Sequence, residues 1–485
     1  MNRSLACVWL LVAGASLVAG CGDDSAAGGG GVGGGGGGSS ADPLESRFTS
    51  GSRLKIQVQR AGDADQFYGV YDAELETACT IAEAGDGTLR CLPAGTAYVA
   101  YGDDACAEQV ASYYANGCND SGPGTYVVMS EVIDECENTQ SMRVFEVGAE
   151  LAPGPLFSRD ATGACFQVGP ESPRYELGAE VEPSSLVELE IVEAPRGDTL
   201  SVSYYQSEDG FYLIGDSPRD TARATACYPG DVGGELRCNP SGLFAPSDNF
   251  SDAACTEVGV FGGFPEGCTQ PGFGTLTTVD GCSYETHVYE VGEPLTAAYL
   301  ELDTGDCVES GVSNPVAAGA QVPDADLASV ELEVEGEGTV RLSGYQAAGL
   351  PLTRHANFVT VDGSLCFPYP FSEGTSRCGP GNVAYVGVDP NRYYADSTCN
   401  EALVPIFDDP CAESEPNLAT VAGGDPDVCV FTEGVYEVGA VHNGAVFVNA
   451  VIEGCSEVVP AGVSFRQLGA RVPDEDFVEV TLETL

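Results

Sequence analysis

Apolar and polar residues alternate strictly through Arg53-Leu54-Lys55-Ile56-Gln57-Val58-Gln59, the pattern of a strand with one face buried. The same pattern returns twice, with Leu200, Val202 and Tyr204 on one face of TLSVSYY and again in TVRLSGY at 339–345. Three further alternating stretches carry acids between apolar residues: LVELEIVE at 186–193, SVELEVE at 329–335 and FVEVTLE at 477–483. Outward acids on such strands are expected to discourage edge-to-edge pairing. Short apolar runs divided by Gly, Pro, Asp and Asn fill the rest, as in GTYVVMSE at 124–131 and GAVFVNAVIEGC at 444–455. This is the all-β signature. One short helix is expected, in AEQVASYYANG at 107–117.

The pentapeptide VYEVG occurs at 288–292 and 435–439, and VFEVG at 144–148. Equal spacing suggests an internal repeat, and the cysteines bear it out. Apart from Cys7 and Cys21, eighteen cysteines fall into three sets of six, with successive spacings of 12, 15, 12, 18, 29, then 11, 17, 13, 14, 25, then 12, 21, 12, 18, 26. The expected organisation is a segment 1–20, a segment 21–46, and repeats at 47–195, 196–336 and 337–485. The expected fold is three disulfide-stapled repeats of short antiparallel strands, forming either one propeller-like ring or tandem small sandwich or barrel modules. In a ring, the last strand would lie beside the first.

Even cysteine sets in an exported chain read as a disulfide framework. No CxxC pair is present, which argues against a cysteine zinc site. Six cysteines allow fifteen pairings. The sequential one is preferred because its first two loops are short in every set. It joins Cys79 to Cys91, Cys106 to Cys118 and Cys136 to Cys165. In the second set it joins Cys227 to Cys238, Cys255 to Cys268 and Cys282 to Cys307, and in the third Cys366 to Cys378, Cys399 to Cys411 and Cys429 to Cys455.

The N-terminus changes the picture from fold to location. Arg3, an apolar run from Leu5 and small residues after it form a secretory signal over residues 1–20. The run ends Val18-Ala19-Gly20-Cys21, which resembles the lipobox of bacterial lipoproteins. The resemblance implies that Cys21 is acylated, as with palmitate, and becomes the mature N-terminus. Gly22, where an Asp would signal retention in the inner membrane, implies the outer membrane or cell surface. Residues 22–46 are glycine-rich and form a flexible tether of about 25–30 Å root-mean-square length. The lipobox, the tether and phrases such as TLRCLP and VFEVGAEL resemble cysteine-rich repeat lipoproteins of myxobacterial-type Gram-negative soil bacteria, a resemblance that implies no activity.

The formal net charge is −55, from 74 acids against 19 Lys and Arg, and Lys55 is the single lysine. That balance excludes nucleic acid and an anionic membrane surface as partners. The membrane is then reached through the lipid anchor alone.

Candidate chemistry is sparse. His287, His355 and His442 occupy different places in their repeats and form no metal or catalytic spacing. Gly215-Asp216-Ser217 resembles the nucleophile block of GDSL esterases, but Pro218 follows it, so a turn is expected. Weak calcium candidates are Asp103, Asp104, Asp389 and Asp396, with further acids at Asp324/Asp326, Asp425/Asp427 and Asp474-Glu475-Asp476. No other cofactor is expected. The pairs Tyr113-Tyr114, Tyr204-Tyr205 and Tyr393-Tyr394 suit a ligand face or half-buried strands. The expected function is a non-enzymatic binding, adhesive or structural role towards a protein or glycan ligand. The alternative is an exported, glycosidase-like hydrolase using acids in a cleft between repeats.

Overall fold

The computed structural model describes residues 46–485 except 96, 114–121, 135, 137–138, 161–162, 247–248, 258, 263–267, 281–282, 303, 372–374, 388–391, 408–414, 426–428, 451–453 and 461. The expected face holds in the strand Leu54–Ala61, where Leu54, Ile56 and Val58 are wholly buried. It turns at Gly62-Asp63, with Gly62 at φ +62°, into Ala64–Asp72. Thr77–Glu83 and Leu89–Pro93 complete an antiparallel meander. The second copy repeats it with Leu200–Gln206, Arg219–Asp220, Thr225–Val232 and Glu235–Pro240. The third uses Val340–Ala347, Asn357–Thr360, Cys366–Pro370 and Ser376–Pro380.

The three acidic stretches join these meanders. Glu190–Arg196 pairs with Leu200–Gln206 of the next copy, and Glu331–Glu335 with Val340–Ala347. The last strand, Glu479–Thr484, pairs with the first, Leu54–Ala61. On its other side each stretch bonds to the fourth strand of its own copy. Cys91 donates its N–H to the Val187 carbonyl at 3.1 Å, Cys238 to Ala328 at 2.9 Å and Cys378 to Val478 at 2.8 Å. The sheet therefore runs through all three copies and closes on itself. This is the ring of the two expected architectures, with a continuous sheet where a propeller has separate blades.

Three core clusters interlock the copies in cyclic order. Leu54, Ile56 and Val58 of the first pack with Phe211 and Leu213 of the second. Leu200, Val202 and Tyr204 of the second pack with Ala347 and Leu352 of the third. Val340 and Phe358 of the third pack with Ala61 and Ala64 of the first. A tandem of independent modules would have kept each core within its own copy.

A β-module is inserted between the fourth strand and the acidic stretch of every copy. In the first it is a closed barrel in the order Cys165–Glu180, Gln109–Tyr113, Ala97–Tyr101, Tyr126–Asp134, Thr139–Arg159. Gln109–Tyr113 stands where a short helix was expected over 107–117. It pairs on both sides, with Ala97–Tyr101 and Cys165–Glu180, and these pairings override a weak local helix preference. Each module holds a parallel pair: Ala97–Tyr101 with Tyr126–Asp134, Leu243–Pro246 with Phe273–Asp280, and Ala384–Val386 with Leu418–Asp425.

Each module also holds a hairpin carrying the repeated pentapeptide. Its glycine meets a second glycine region on the returning strand. A Cβ on Gly148 would come within 2.9 Å of the Glu176 carbonyl oxygen, on Gly292 within 2.9 Å of that of Ala317, and on Gly439 within 2.8 Å of that of Gln467. Gly178, Gly319 and Gly469 are as close to Glu146, Glu290 and Glu437. The register slips at the same places. VYEVG is thus a bulged strand crossing that requires glycine.

Seven disulfides are defined among the described residues. Cys79–Cys91, Cys227–Cys238 and Cys366–Cys378 staple the third and fourth meander strands, as the sequential pairing has them. The rest of that pairing is corrected. In each copy the third cysteine bonds the sixth, as Cys106–Cys165, Cys255–Cys307 and Cys399–Cys455. Cys136–Cys268 joins the first copy to the second. These bonds overturn Cys106–Cys118, Cys136–Cys165, Cys255–Cys268, Cys282–Cys307, Cys399–Cys411 and Cys429–Cys455. The short loops misled because sequence distance does not set the strand order: in the first copy the strand after the third cysteine, Gln109–Tyr113, pairs with the strand that begins at the sixth. Cys118, Cys282 and Cys411 lie outside the described residues, as does the side chain of Cys429. The disulfides mark an extracytoplasmic protein, and no described helix is long and apolar enough to cross a membrane.

Candidate functional site

Residues 46–49 lie where the copies meet. Phe48–Thr49 pairs with Leu213 and Tyr212 of the second copy. Tyr204, buried in the second core, donates its hydroxyl to the Ser46 carbonyl at 2.9 Å. Arg47 forms a two-pronged ion pair with Glu335, at the end of the second copy, at 2.6 and 2.7 Å, while Gln346 of the third copy donates to the same carboxylate. Paired guanidinium and carboxylate groups of this geometry are the strong class of charged hydrogen bond. The hydrogen bond from Arg47 holds the Glu335 carboxyl below its ordinary range. A cavity of about 490 Å³ opens beside this pair, lined by Arg47, Phe48, Asp65, Glu333, Glu335 and Gln346.

Segments of the three copies meet nearby, at the strand Ala64–Asp72 of the first and just ahead of the second strands of the other two. Phe67 of the first faces the His355 ring edge-on at 5.9 Å, and the Arg354 guanidinium lies 5.3 Å from the Phe67 ring centre. Arg354 is ion-paired to Asp216 of the second copy, and His355 Nε2 lies 3.2 Å from Asp216 Oδ1. Gln66 donates to the Ala356 carbonyl at 2.7 Å. Asp216 is thereby tied to Arg354 and His355 of the next copy, and the Gly215 N–H bonds the Ser203 carbonyl at 2.7 Å, so Gly215-Asp216-Ser217 is a turn at a junction.

A second junction lies at the first strand. Asp209 accepts the backbone N–H groups of Arg53 and Leu54. Burial raises its carboxyl pKa, but hydrogen bonds from Ser207 and from the Leu54, Arg53 and Phe211 amides outweigh burial and hold it below the ordinary range.

The structure gives the calcium candidates other partners. Asp103 accepts the N–H groups of Ala107 and Glu108 at 2.8 and 3.0 Å. Asp396 does the same for Asn400 and Glu401, both at 2.9 Å. Asp252, which the sequence reading passed over, does it for Thr256 and Glu257. The cysteine three residues on takes φ of 50–52° in each. The signal was present, since YGDDACAE, FSDAACTE and YADSTCNE align on the third cysteine. The backbone bonds from Glu257 and Thr256 hold Asp252 at about 2, and the Thr398 hydroxyl, with the Glu401 and Asn400 amides, holds Asp396 at about 2. Such carboxylates serve their own turns and set the positive-φ cysteine that bonds the sixth. Asp104 is exposed, and Asp389 lies outside the described residues. No group of three or more metal-ligating side chains occurs among the described residues.

The remaining candidates are dispersed. His287 stands between Glu285 and Asp324, and His442 faces the Ala445 carbonyl. Tyr204 is a core residue, Tyr394 is buried, Tyr393 packs on Phe465 at 5.0 Å and Tyr113 on Tyr175 at 6.1 Å. Tyr114 and Asp427 lie outside the described residues. The tyrosine pairs are framework, each with a member inside or against a strand.

Residues 32–477 match the model of a family of unknown function (DUF7481). No curated protein and no solved structure matches the chain.

Proposed function

We propose that this chain, which belongs to the DUF7481 family, is a lipid-anchored protein of the outer membrane or cell surface with a non-enzymatic binding, adhesive or structural role. The observation that carries the reading is the seating of residues 46–49. The tether residue Ser46 and its neighbours Arg47 and Phe48 bond to the second copy of a ring whose two ends already pair. A load on an acyl group at Cys21 would pass through the tether into a ring closed by strand hydrogen bonds. Such a body suits presentation of a surface at a distance from a membrane. Two or more acyl chains anchor a protein where one does not.

The hydrolase alternative would use the carboxylates of the cavity beside Arg47. A general acid needs its pKa raised toward the working pH. Glu335 is shifted the opposite way and Asp65 is ion-paired with Arg60. Both are placed as structural acceptors, which favours the non-enzymatic role.

Labelling of the expressed chain with radioactive palmitate tests the anchor. Label on the wild type, and release of Cys21→Ala from the membrane, are expected. An unlabelled chain, or a Cys21→Ala chain that stays bound, would overturn the anchored reading.

A further inference from the structure

The described Asp-Gly pairs are tied into turns. Asp86 accepts the Thr88 N–H at 3.1 Å and a hydrogen bond from Arg90, Asp209 accepts the Arg53 and Leu54 N–H groups, and Asp362 accepts the Ser364 N–H at 3.2 Å. The glycines that follow, Gly87, Gly210 and Gly363, have φ of +75, +93 and +84°. Each carboxylate is spent on a turn that needs its glycine. Asn443-Gly444 is built differently. It lies in the segment 442–445, between the strands Cys429–Val441 and Val446–Ala450. Both residues are exposed. The Asn443 side chain makes no hydrogen bond among the described residues, and Gly444 lies outside the positive-φ region. The His442 ring folds over the segment, with Nε2 3.0 Å from the Ala445 carbonyl oxygen. A Cβ on Gly444 would stand 2.9 Å from Cε1 of that ring and displace it.

We propose that Asn443 is a modification site at which the folded chain deamidates without an enzyme. The Gly444 backbone nitrogen, on losing its proton, attacks Cγ of Asn443. A C–N bond forms there, the Cγ–Nδ2 bond breaks, and the side-chain nitrogen takes up a proton and leaves as ammonia. Water then opens the cyclic imide at either carbonyl, giving aspartate or isoaspartate at 443. The balance is water in and ammonia out, so no oxidant or cofactor takes part. Exposure admits the water. The amide, bonded to nothing described, is free to turn onto the next nitrogen, and Gly444 puts no side chain in the path of ring closure. An ionised carboxylate held in a turn, as at Asp209, is a poor electrophile and is not free to turn. The product carries a new negative charge beside His442. In isoaspartate the main chain runs through the former side chain and gains a carbon just ahead of Val446, which packs in the core with Leu403 and Phe465. The site stands apart from the anchored, non-enzymatic reading and does not depend on it.

The test incubates the full folded chain in mildly alkaline buffer and maps its peptides by mass spectrometry. An isoaspartyl methyltransferase with a radioactive methyl donor labels the isoaspartate. The peptide holding Asn443 should accumulate both products, faster as pH rises, because the attacking nitrogen must first lose its proton. Asn443→Gln lengthens the side chain and disfavours ring closure. It should lose the label from that peptide and keep the wild-type melting temperature. Mapping separates the site from Asn116-Gly117, which lies outside the described residues. An Asn443 peptide that stays unmodified in the folded chain, while the reduced and urea-unfolded chain modifies there, would overturn the proposal, since the fold would then protect the site. So would label that persists on the same peptide in Asn443→Gln, which would place the reaction at another residue.

Discussion

Asp209 of the second copy accepts the N–H of Leu54, the first residue of the first strand, at 2.9 Å, and that of Arg53 at 2.7 Å through the same oxygen. Leu54 lies in the core it shares with Phe211, two residues beyond Asp209. The contact holds the start of the ring to the neighbouring copy. Asp209→Ala leaves two backbone donors without that acceptor, which should cost about 1–3 kcal/mol. Asp209→Asn keeps one carbonyl oxygen and should cost less. Urea unfolding of the two variants measures both.

The glycine crossings give a second expectation. A Cβ at Gly178 would stand 2.6 Å from the Glu146 carbonyl oxygen, and one at Gly469 would stand 2.7 Å from that of Glu437. Backbone cannot yield as a flexible side chain does, so Gly178→Ala and Gly469→Ala should each destabilise by about 1–3 kcal/mol, the usual range for overpacking. Alanine at Gly272, where a Cβ meets nothing, is the matched control and should leave the melting temperature within a degree or two.

Acid should weaken the turns before the staples. Asp252 and Asp396 are depressed to about 2 by backbone and threonine hydrogen bonds, against about 3.9 for an unperturbed aspartate. A carboxyl lowered in the folded state stabilises it fully above the unfolded value. That contribution fades as pH falls through the folded value, here between about pH 4 and pH 2. The double variant Asp252→Asn/Asp396→Asn should melt below the wild type at neutral pH, and the gap should close toward pH 2. A pH series of thermal melts reads the two curves directly.

The cross-copy disulfide should matter most for the denatured chain. Cys136 and Cys268 are 132 residues apart, and a loop of that order is worth roughly 4–5 kcal/mol in the chain-entropy account. Cys136→Ser/Cys268→Ser should lower the unfolding midpoint by a corresponding amount. Peptide mapping of the unreduced wild type should return Cys106–Cys165 and Cys136–Cys268, and no peptide joining Cys136 to Cys165.

Much of the framework was legible in the chain. The alternation at 54–58 identified a buried face, the cysteine spacings identified a threefold repeat, and the first two cysteines of each set identified a strand staple. Each of these is local. Alternation reports the two-residue period of a pleated strand, and a loop of 11 or 12 residues closes within one hairpin. The candidate site was less legible. Arg47 and Glu335 lie 288 residues apart, and Asp216 meets Arg354 across 138. No periodicity connects such positions.

The sequence by itself determined that this protein is built from short strands in three stapled copies, because strand period and turn chemistry act over a few neighbouring residues. Only the tertiary structure decided that the last strand closes on the first and that the third cysteine takes the sixth. Those outcomes depend on which strands lie side by side once every copy has buried its apolar face against the next.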